Sequence, residues 1–144
     1  MEDKALGLLG LMRRASAIEM GEDNAAETVK AGKAKILVMA SDVSDTARRK
    51  AEGFSHGRNV QIVPLHYSRE ELGAALGVKS CAMAALTDMG FSNALMKELA
   101  AQHPEEYSGA YEESAKRLEK TQRRRKETAQ RGGLKRNVKR RTEV

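Results

Sequence analysis

Short apolar runs alternate with amphipathic stretches along most of the chain. From Asp3 to Ala15, Leu6, Leu8, Leu9, Leu11 and Met12 fill almost every face of a helix, which predicts one buried over much of its surface. Arg13 and Arg14 close it, where cations suit the negative end of the helix dipole. A short extended piece follows at Ala17–Met20. Gly21 permits a turn, and Asp23–Ala31 reads as a second helix ending at Gly32. Ala34–Ala40 is a continuous apolar run bounded by turn residues, the signature of a strand buried on both faces. Ser41-Asp42-Val43-Ser44 is a polar break made of helix-capping residue types. Asp45–Phe54 reads as an amphipathic helix stopped near Gly57, and Val60–Val63 as a second buried strand ended by Pro64. Ser68 heads a helix with Glu71 three positions on, the capping-box spacing, and that helix stops at Gly77. Cys81–Leu86 is a third strand and Ser92–Ala101 a further helix.

Alternation of helices with buried strands predicts an α/β fold, a three-layer α/β/α sandwich around a mixed sheet of about four strands. Roughly a hundred residues suffice for such a unit to fold alone. Gln102-His103-Pro104 marks the expected boundary, giving an α/β domain over 1–102 and a basic tail, helical or disordered, over 103–144. In the tail, Tyr107, Tyr111, Ala115 and Leu118 make a thin apolar stripe at helical spacing. Glu112 and Lys116, Glu113 and Arg117, and Glu119 and Arg123 stand four apart, pairs worth a few tenths of a kcal/mol each on a helix. Gly132-Gly133 is expected to end the helix, leaving 134–144 disordered until a partner binds.

Charge sharpens this division. Residues 116–144 hold 13 Lys and Arg against 3 Glu, a net of +10, whereas the rest holds 13 against 17 acidic residues, a net of −4. The whole positive excess of a chain with net charge +6 therefore sits in the tail. Arg123, Arg124, Arg125 and Lys126, then Lys135 and Arg136, then Lys139, Arg140 and Arg141 are denser than an ordinary solvated face needs. Such density points to phosphates, although charge alone does not separate RNA from DNA.

Other classes fit poorly. The single Cys81 has no disulfide partner, and His56, His66 and His103 lack metal-ligand spacing, so neither metal nor cofactor is expected and a reducing, cytoplasmic setting is. Cys81 reads as a buried structural thiol. No stretch approaches the roughly 20 apolar residues of a membrane span. No nucleophile, metal set or matched acid and base can be assembled, so no catalysis is expected. Aromatics are only 3%, too few for a surface that stacks bases on rings.

Five segments occur in a recognisable order: Gly21-Glu-Asp-Asn, Gly32-Lys-Ala-Lys-Ile-Leu-Val-Met-Ala-Ser-Asp42, Ser68-Arg-Glu-Glu-Leu-Gly73, Gly77-Val-Lys and Ala84-Ala-Leu-Thr-Asp-Met-Gly-Phe91. Over roughly residues 4–101 the chain resembles the kink-turn RNA-binding ribosomal-protein family (archaeal and eukaryal large-subunit type), in its bacterial YlxQ-like branch. The resemblance implies an α/β/α sandwich without catalysis, whose loops at one end of the sheet grip a sharply bent RNA. The family's Gly-x-Asn-Glu-x-x-Lys motif falls on Gly21, Asp23, Asn24 and Glu27, where only the glycine is kept. Asp23 accepts hydrogen bonds but cannot donate, and Glu27 brings a negative charge where the family has a positive one. Asp42, Val43 and Ser44 after the first buried strand, and Val78 with Lys79 before the last strand, match two further contact loops; Lys33 and Lys35 add nearby positive charge. Each has a plainer reading. Asp23 and Asn24 suit a helix cap as well as RNA, Asp42 and Ser44 suit caps of the next helix, and Val78 suits loop packing.

The sequence thus supports an RNA-binding protein acting in translation, its domain contacting structured, kink-turn-like RNA and its tail contacting phosphates, with ribosomal RNA or ribonucleoprotein components as partners and no membrane. The alternative is a protein-interaction module of the same fold that has lost kink-turn specificity.

Overall fold

The computed structural model describes residues 3–142, with side chains described through 129. Ten elements follow one another: α1 (Lys4–Arg14), β1 (Ile18–Met20), α2 (Glu22–Lys30), β2 (Ile36–Met39), α3 (Asp45–Ser55), β3 (Gln61–Pro64), α4 (Arg69–Leu76), β4 (Met83–Leu86), α5 (Met89–Gln102) and α6 (Pro104–Thr142). The strands form one mixed sheet in the order β1-β4-β2-β3. Strand β4 runs antiparallel to both neighbours, with Met20 opposite Ala84 and Met39 opposite Met83, while β2 and β3 are parallel.

The apolar runs become the central strands because only there are both faces covered. All four residues of β2 and of β4 are buried. Side chains alternate between the faces, as a pleated strand requires. Ile36, Val38, Ala84 and Leu86 pack with Leu9, Met12, Leu72, Leu95 and Leu99 from α1, α4 and α5. Leu37, Met39, Met83 and Ala85 pack with Ala25, Val29, Ala47 and Ala51 from α2 and α3. The expected three-layer sandwich with four strands is thus formed.

Capping explains most helix boundaries. Asp3 accepts from the N–H groups of Ala5 and Leu6, Ser44 from Ala47 and Asp88 from Phe91. Ser68 and Glu71 close the reciprocal capping box that their spacing predicts. Helix α2 differs. Its N-cap is Gly21, at φ 92°, with no side-chain cap, so neither Asp23 nor Asn24 has the capping role the sequence allowed. Asn24 instead donates back to the Met20 carbonyl at 2.9 Å.

The first turns of α6 do not leave the sandwich. Tyr107 is 2% exposed within the core, and its hydroxyl donates to the Pro64 carbonyl at 2.7 Å. Burial and the neighbouring Glu106 charge push its phenol up to about 12. The inward row continues through Ser114, which is buried and bonded to Asn93 of α5, rather than through Ala115. A period of 3.6 residues alternates steps of three and four, and a small hydroxyl lets the two helices approach closely. The helix also runs through Gly132-Gly133 to Thr142 instead of ending there. Each glycine costs only about 1 kcal/mol in a helix interior, and the residues around the pair include the good helix formers Gln130, Arg131, Leu134 and Lys135.

Gly73 sits where α4 meets the segment leading into β4. A Cβ there would lie 2.7 Å from the backbone N and Cα of Ser80. Gly73→Ala is expected to lower stability by about 1–3 kcal/mol and to displace residues 77–80. A denaturant midpoint equal to wild type would refute that close approach.

A second expectation concerns acid. Burial pushes the Asp3 carboxyl up, but hydrogen bonds from Tyr67, Gln102, Leu6 and Ala5 outweigh it and hold it below the ordinary carboxylate value. Its stabilisation is present above the unfolded value near 4 and is lost as pH falls through the lowered folded value. Asp3→Asn should therefore flatten the fall in melting temperature below about pH 4; an unchanged acid limb would show that Asp3 contributes nothing there.

Candidate nucleic-acid interface

The direction of β4 brings four connections to one end of the sheet. Gly21, just after β1, donates to the Met83 carbonyl at 2.9 Å, and Ala40, just after β2, donates to Ala82 at 2.8 Å. Ser41 donates to Tyr67, and Cys81 to Arg69. Asp42 accepts from the Arg69 backbone N–H at 2.8 Å and lies 3.6 Å from its guanidinium. Asp42 therefore locks its loop to α4 rather than capping α3, the task taken by Ser44.

Gly21, Asp23, Asn24, Asp42, Val43, Ser44, Val78 and Lys79 accordingly come together at or beside this loop end. Asp23, Asn24, Asp42, Ser44 and Lys79 are exposed. Val78 is half-buried against the core, so part of its apolar surface serves the fold. Glu27 lies one turn further along α2, exposed. Cys81 is buried beside Gly21; desolvation pushes its thiol up, against hydrogen bonds with Gly21 and Met83. Arg69 does not stand out in the sequence, where it reads as one more exposed charge in a helix. Only the fold places it against Asp42.

Lys33 and Lys35 do not join this group. Lys35 precedes β2, at the opposite end of the sheet, and its N–H donates to Leu86 at the far end of β4. From Lys35 to Ala40 the strand spans roughly 17 Å at about 3.3 Å per residue. The expectation that both lysines enrich the loop surface is corrected by the length of β2.

Helix α6 leads to that same opposite end. It starts beside Pro64, accepts a hydrogen bond from Gln61 at Ala110, and reaches Asn59 at Arg117. The Arg117 guanidinium donates to the carbonyls of Lys35 (2.6 Å) and Asn59 (2.9 Å) and to Gln61 Oε1 (3.0 Å). Burial pulls its pKa below the ordinary guanidinium value, partly countered by the charge of Glu113. None of the three expected helix pairs, Glu112 with Lys116, Glu113 with Arg117 or Glu119 with Arg123, closes as an ion pair among the described residues. Arg117 turns inward because three fixed acceptors hold a guanidinium better than one solvated carboxylate. Beyond it, Arg123, Arg124, Arg125 and Lys126 are exposed. The side chains of Lys135, Arg136, Lys139, Arg140 and Arg141 lie outside the described residues.

The described residues hold no group of three or more His, Cys, Asp or Glu fit for a metal ion, and no described helix is long and apolar enough to cross a membrane.

A mixed four-stranded sheet between two helical layers, with loops from three strand ends and one strand start gathered at one edge, defines an α/β/α sandwich with a composite loop surface. The family model of the ribosomal protein L7Ae/L30e/S12e/Gadd45 family matches residues 3–96, and the chain belongs to that family. It is 30% identical over 92 residues to the RNA-binding protein YlxQ of Bacillus subtilis, an overlap of 64% of this chain and 91% of that protein. A Bacillus halodurans protein of unknown function superposes with a TM-score of 0.63 at 27% identity, covering 67% of this chain and 97% of that one. The Giardia lamblia 15.5kD RNA binding protein shares the fold, with a TM-score of 0.55 at 20% identity over 70% of this chain and 89% of its own.

Arg117→Ala leaves the Lys35 and Asn59 carbonyls without their charged donor. It should cost about 2 kcal/mol and speed amide exchange from Ser114 to Thr121. Arg117→Lys should recover only part of the protection, since one ammonium cannot reproduce the fork. Wild-type exchange in Arg117→Ala would mean that Arg117 does not anchor α6.

Proposed function

We propose that the chain is a non-catalytic RNA-binding protein that reads bent, kink-turn-like RNA with the loop end of its sandwich, in a ribosomal or other ribonucleoprotein setting. The observation that carries this reading is the meeting of the Gly21, Ser41–Ser44, Ser68–Arg69 and Val78–Lys79 segments at one edge. Family membership supports it, as does a relative whose name describes RNA binding.

Each residue has a specific task in this reading. Gly21 has no side chain over the start of α2, so first-turn N–H groups stay open to a phosphate or base edge. Asn24 spends its amide N–H on Met20, which leaves its carbonyl oxygen to accept from a base. Asp23 is likewise an acceptor. Val78 packs against an unstacked nucleotide and Lys79 meets a phosphate. Asp42, Val43 and Ser44 supply one side of the loop surface, Asp42 indirectly through Arg69. The functional division falls at 102–103 although the packing does not: residues 1–102 carry the shape-reading loops, and 103–144 carry cations that add sequence-independent affinity.

Glu27 marks the departure from the family pattern, since a carboxylate near a phosphate opposes binding. Glu27→Lys is expected to tighten binding of a kinked RNA several-fold and to leave a straight duplex less affected. The parent test compares full-length protein on a kink-turn RNA and on a straight duplex of equal length at near-physiological salt. Preference for the kinked RNA is the expected result. Equal affinity for both, with no gain from Glu27→Lys, would overturn shape reading and leave the protein-interaction alternative.

A further inference from the structure

The two ends of the sheet differ in how their charges are satisfied. Every ion pair among the described residues lies at or beside the loop end or the start of α6: Arg48 with Asp45, Lys50 with Glu22, Arg69 with Asp42 and His66 with Glu106. At the opposite end, α6 lies across the start of β2 and the turn before β3 and leaves a cleft of about 340 Å³. Lys35, Lys116, Arg117, Lys120 and Arg124 line it, with Glu113 as its one acidic residue. None of these five cations has a described carboxylate within ion-pair distance. Five positive charges around one concave space repel one another, an arrangement that an anion relieves.

We propose that this cleft is a second RNA-phosphate site, facing away from the loops, so that the chain engages two separate RNA segments. The proposal rests on the RNA-binding reading above and assigns a place to the basic half of α6. Three observations carry it beyond a solvated charged face. First, Arg117 uses its donors on Lys35, Asn59 and Gln61, which fixes the direction of α6 and sets Lys116, Lys120 and Arg124 in one row at about 6 Å per step. Second, the cleft is assembled from four separate parts of the chain, at Lys35, Asn59, Met89 and α6, so Lys35 is brought to the α6 cations only by the fold. Third, the axis of α6 runs from Pro64 to Asn59, away from the loop end. RNA held by the loops lies at one end of this axis and the exposed cations at the other, more than a Debye length of about 8 Å apart.

Chemistry favours a nucleic-acid backbone over a membrane surface. An interfacial helix needs an apolar face, and residues 119–129 contain no large apolar side chain. Thr121 and Asn59 line the cleft as neutral hydrogen-bonding groups, a mixture suited to phosphate and ribose oxygens.

The test uses the full-length chain and two sets of substitutions with equal charge change. One removes cleft cations: Lys35→Gln, Lys116→Gln and Lys120→Gln. The other removes cations just outside it: Arg123→Gln, Arg125→Gln and Lys126→Gln. Arg117 is left intact in both, and thermal melts confirm folding; should Lys35→Gln perturb the strand, a Lys116→Gln, Lys120→Gln double variant is compared instead with an Arg123→Gln, Arg125→Gln double variant. Binding of a straight RNA duplex is measured against salt. The cleft set should lose about tenfold or more in affinity at near-physiological salt and flatten the log–log slope by roughly two to three. The outer set should lose clearly less. Excess duplex should also fail to displace a labelled kink-turn RNA from the wild-type protein. Equal losses in the two sets would mean diffuse attraction and overturn the site, as would full displacement of the kinked RNA by duplex from a wild type that prefers the kinked RNA. Equal or tighter binding of a polyglutamate through the same cleft residues would overturn the assignment to RNA. Loss of shape reading would register separately, as absence of preference for the kinked RNA in the wild type with the cleft effect intact.

Discussion

Strand β4 runs against both of its neighbours, and its direction decides where each loop falls. Placed between β1 and β2, it presents its first residue, Met83, beside the last residues of both. The segment that enters β4 therefore meets the segments that leave β1 and β2. Parallel β2 and β3 add the exit of β3 to the same edge. Had β4 been parallel, Val78 and Lys79 would stand at the other end, with Lys35. The composite loop surface thus follows from strand polarity, and the individual hydrogen bonds, Gly21 to Met83 and Ala40 to Ala82, fix its details.

Much of this architecture is legible in the residues themselves. Ile36–Met39 and Met83–Leu86 announce central strands because four consecutive buried positions tolerate nothing polar. Ser68 and Glu71 announce a helix start because the box needs only local geometry. The misreadings share a cause, which is dependence on partners distant in sequence. Asp42 looks like a cap for the helix after it, yet its acceptor goes to Arg69, 27 residues on. Arg117 looks like a helix-surface partner for Glu113, yet its donors reach Lys35, 82 residues back. Lys33 and Lys35 look close to the Gly21 turn in sequence, and the length of a helix and a strand separates them from it in space.

The extension of α6 follows the same logic. Composition marks the tail as charged and weakly amphipathic, and such a segment has little to bury. What the pattern conceals is that Tyr107, Ser114 and Arg117 each find a partner on the sandwich, at Pro64, Asn93 and Asn59 respectively. Helix formation is limited by nucleation. Three tertiary anchors within the first four turns supply the nucleus, and the helix formers beyond Arg117 need only propagate it.

Anchoring also resolves an electrostatic conflict. A segment of net charge +10 attached to a unit of net charge −4 would, on a flexible joint, fold back onto its own acidic groups and compete with any external anion. Screening confines that attraction to about 8 Å at physiological ionic strength. A helix pinned at Arg117 carries Arg123 to Lys126 at least 9 Å further along its axis, at about 1.5 Å per residue, and out of easy reach of Asp42, Asp45 and Glu22 at the opposite end. Those acids are meanwhile paired with Arg69, Arg48 and Lys50. Self-neutralisation is thereby limited, and the exposed cations from Arg123 to Lys126 stay open to solvent.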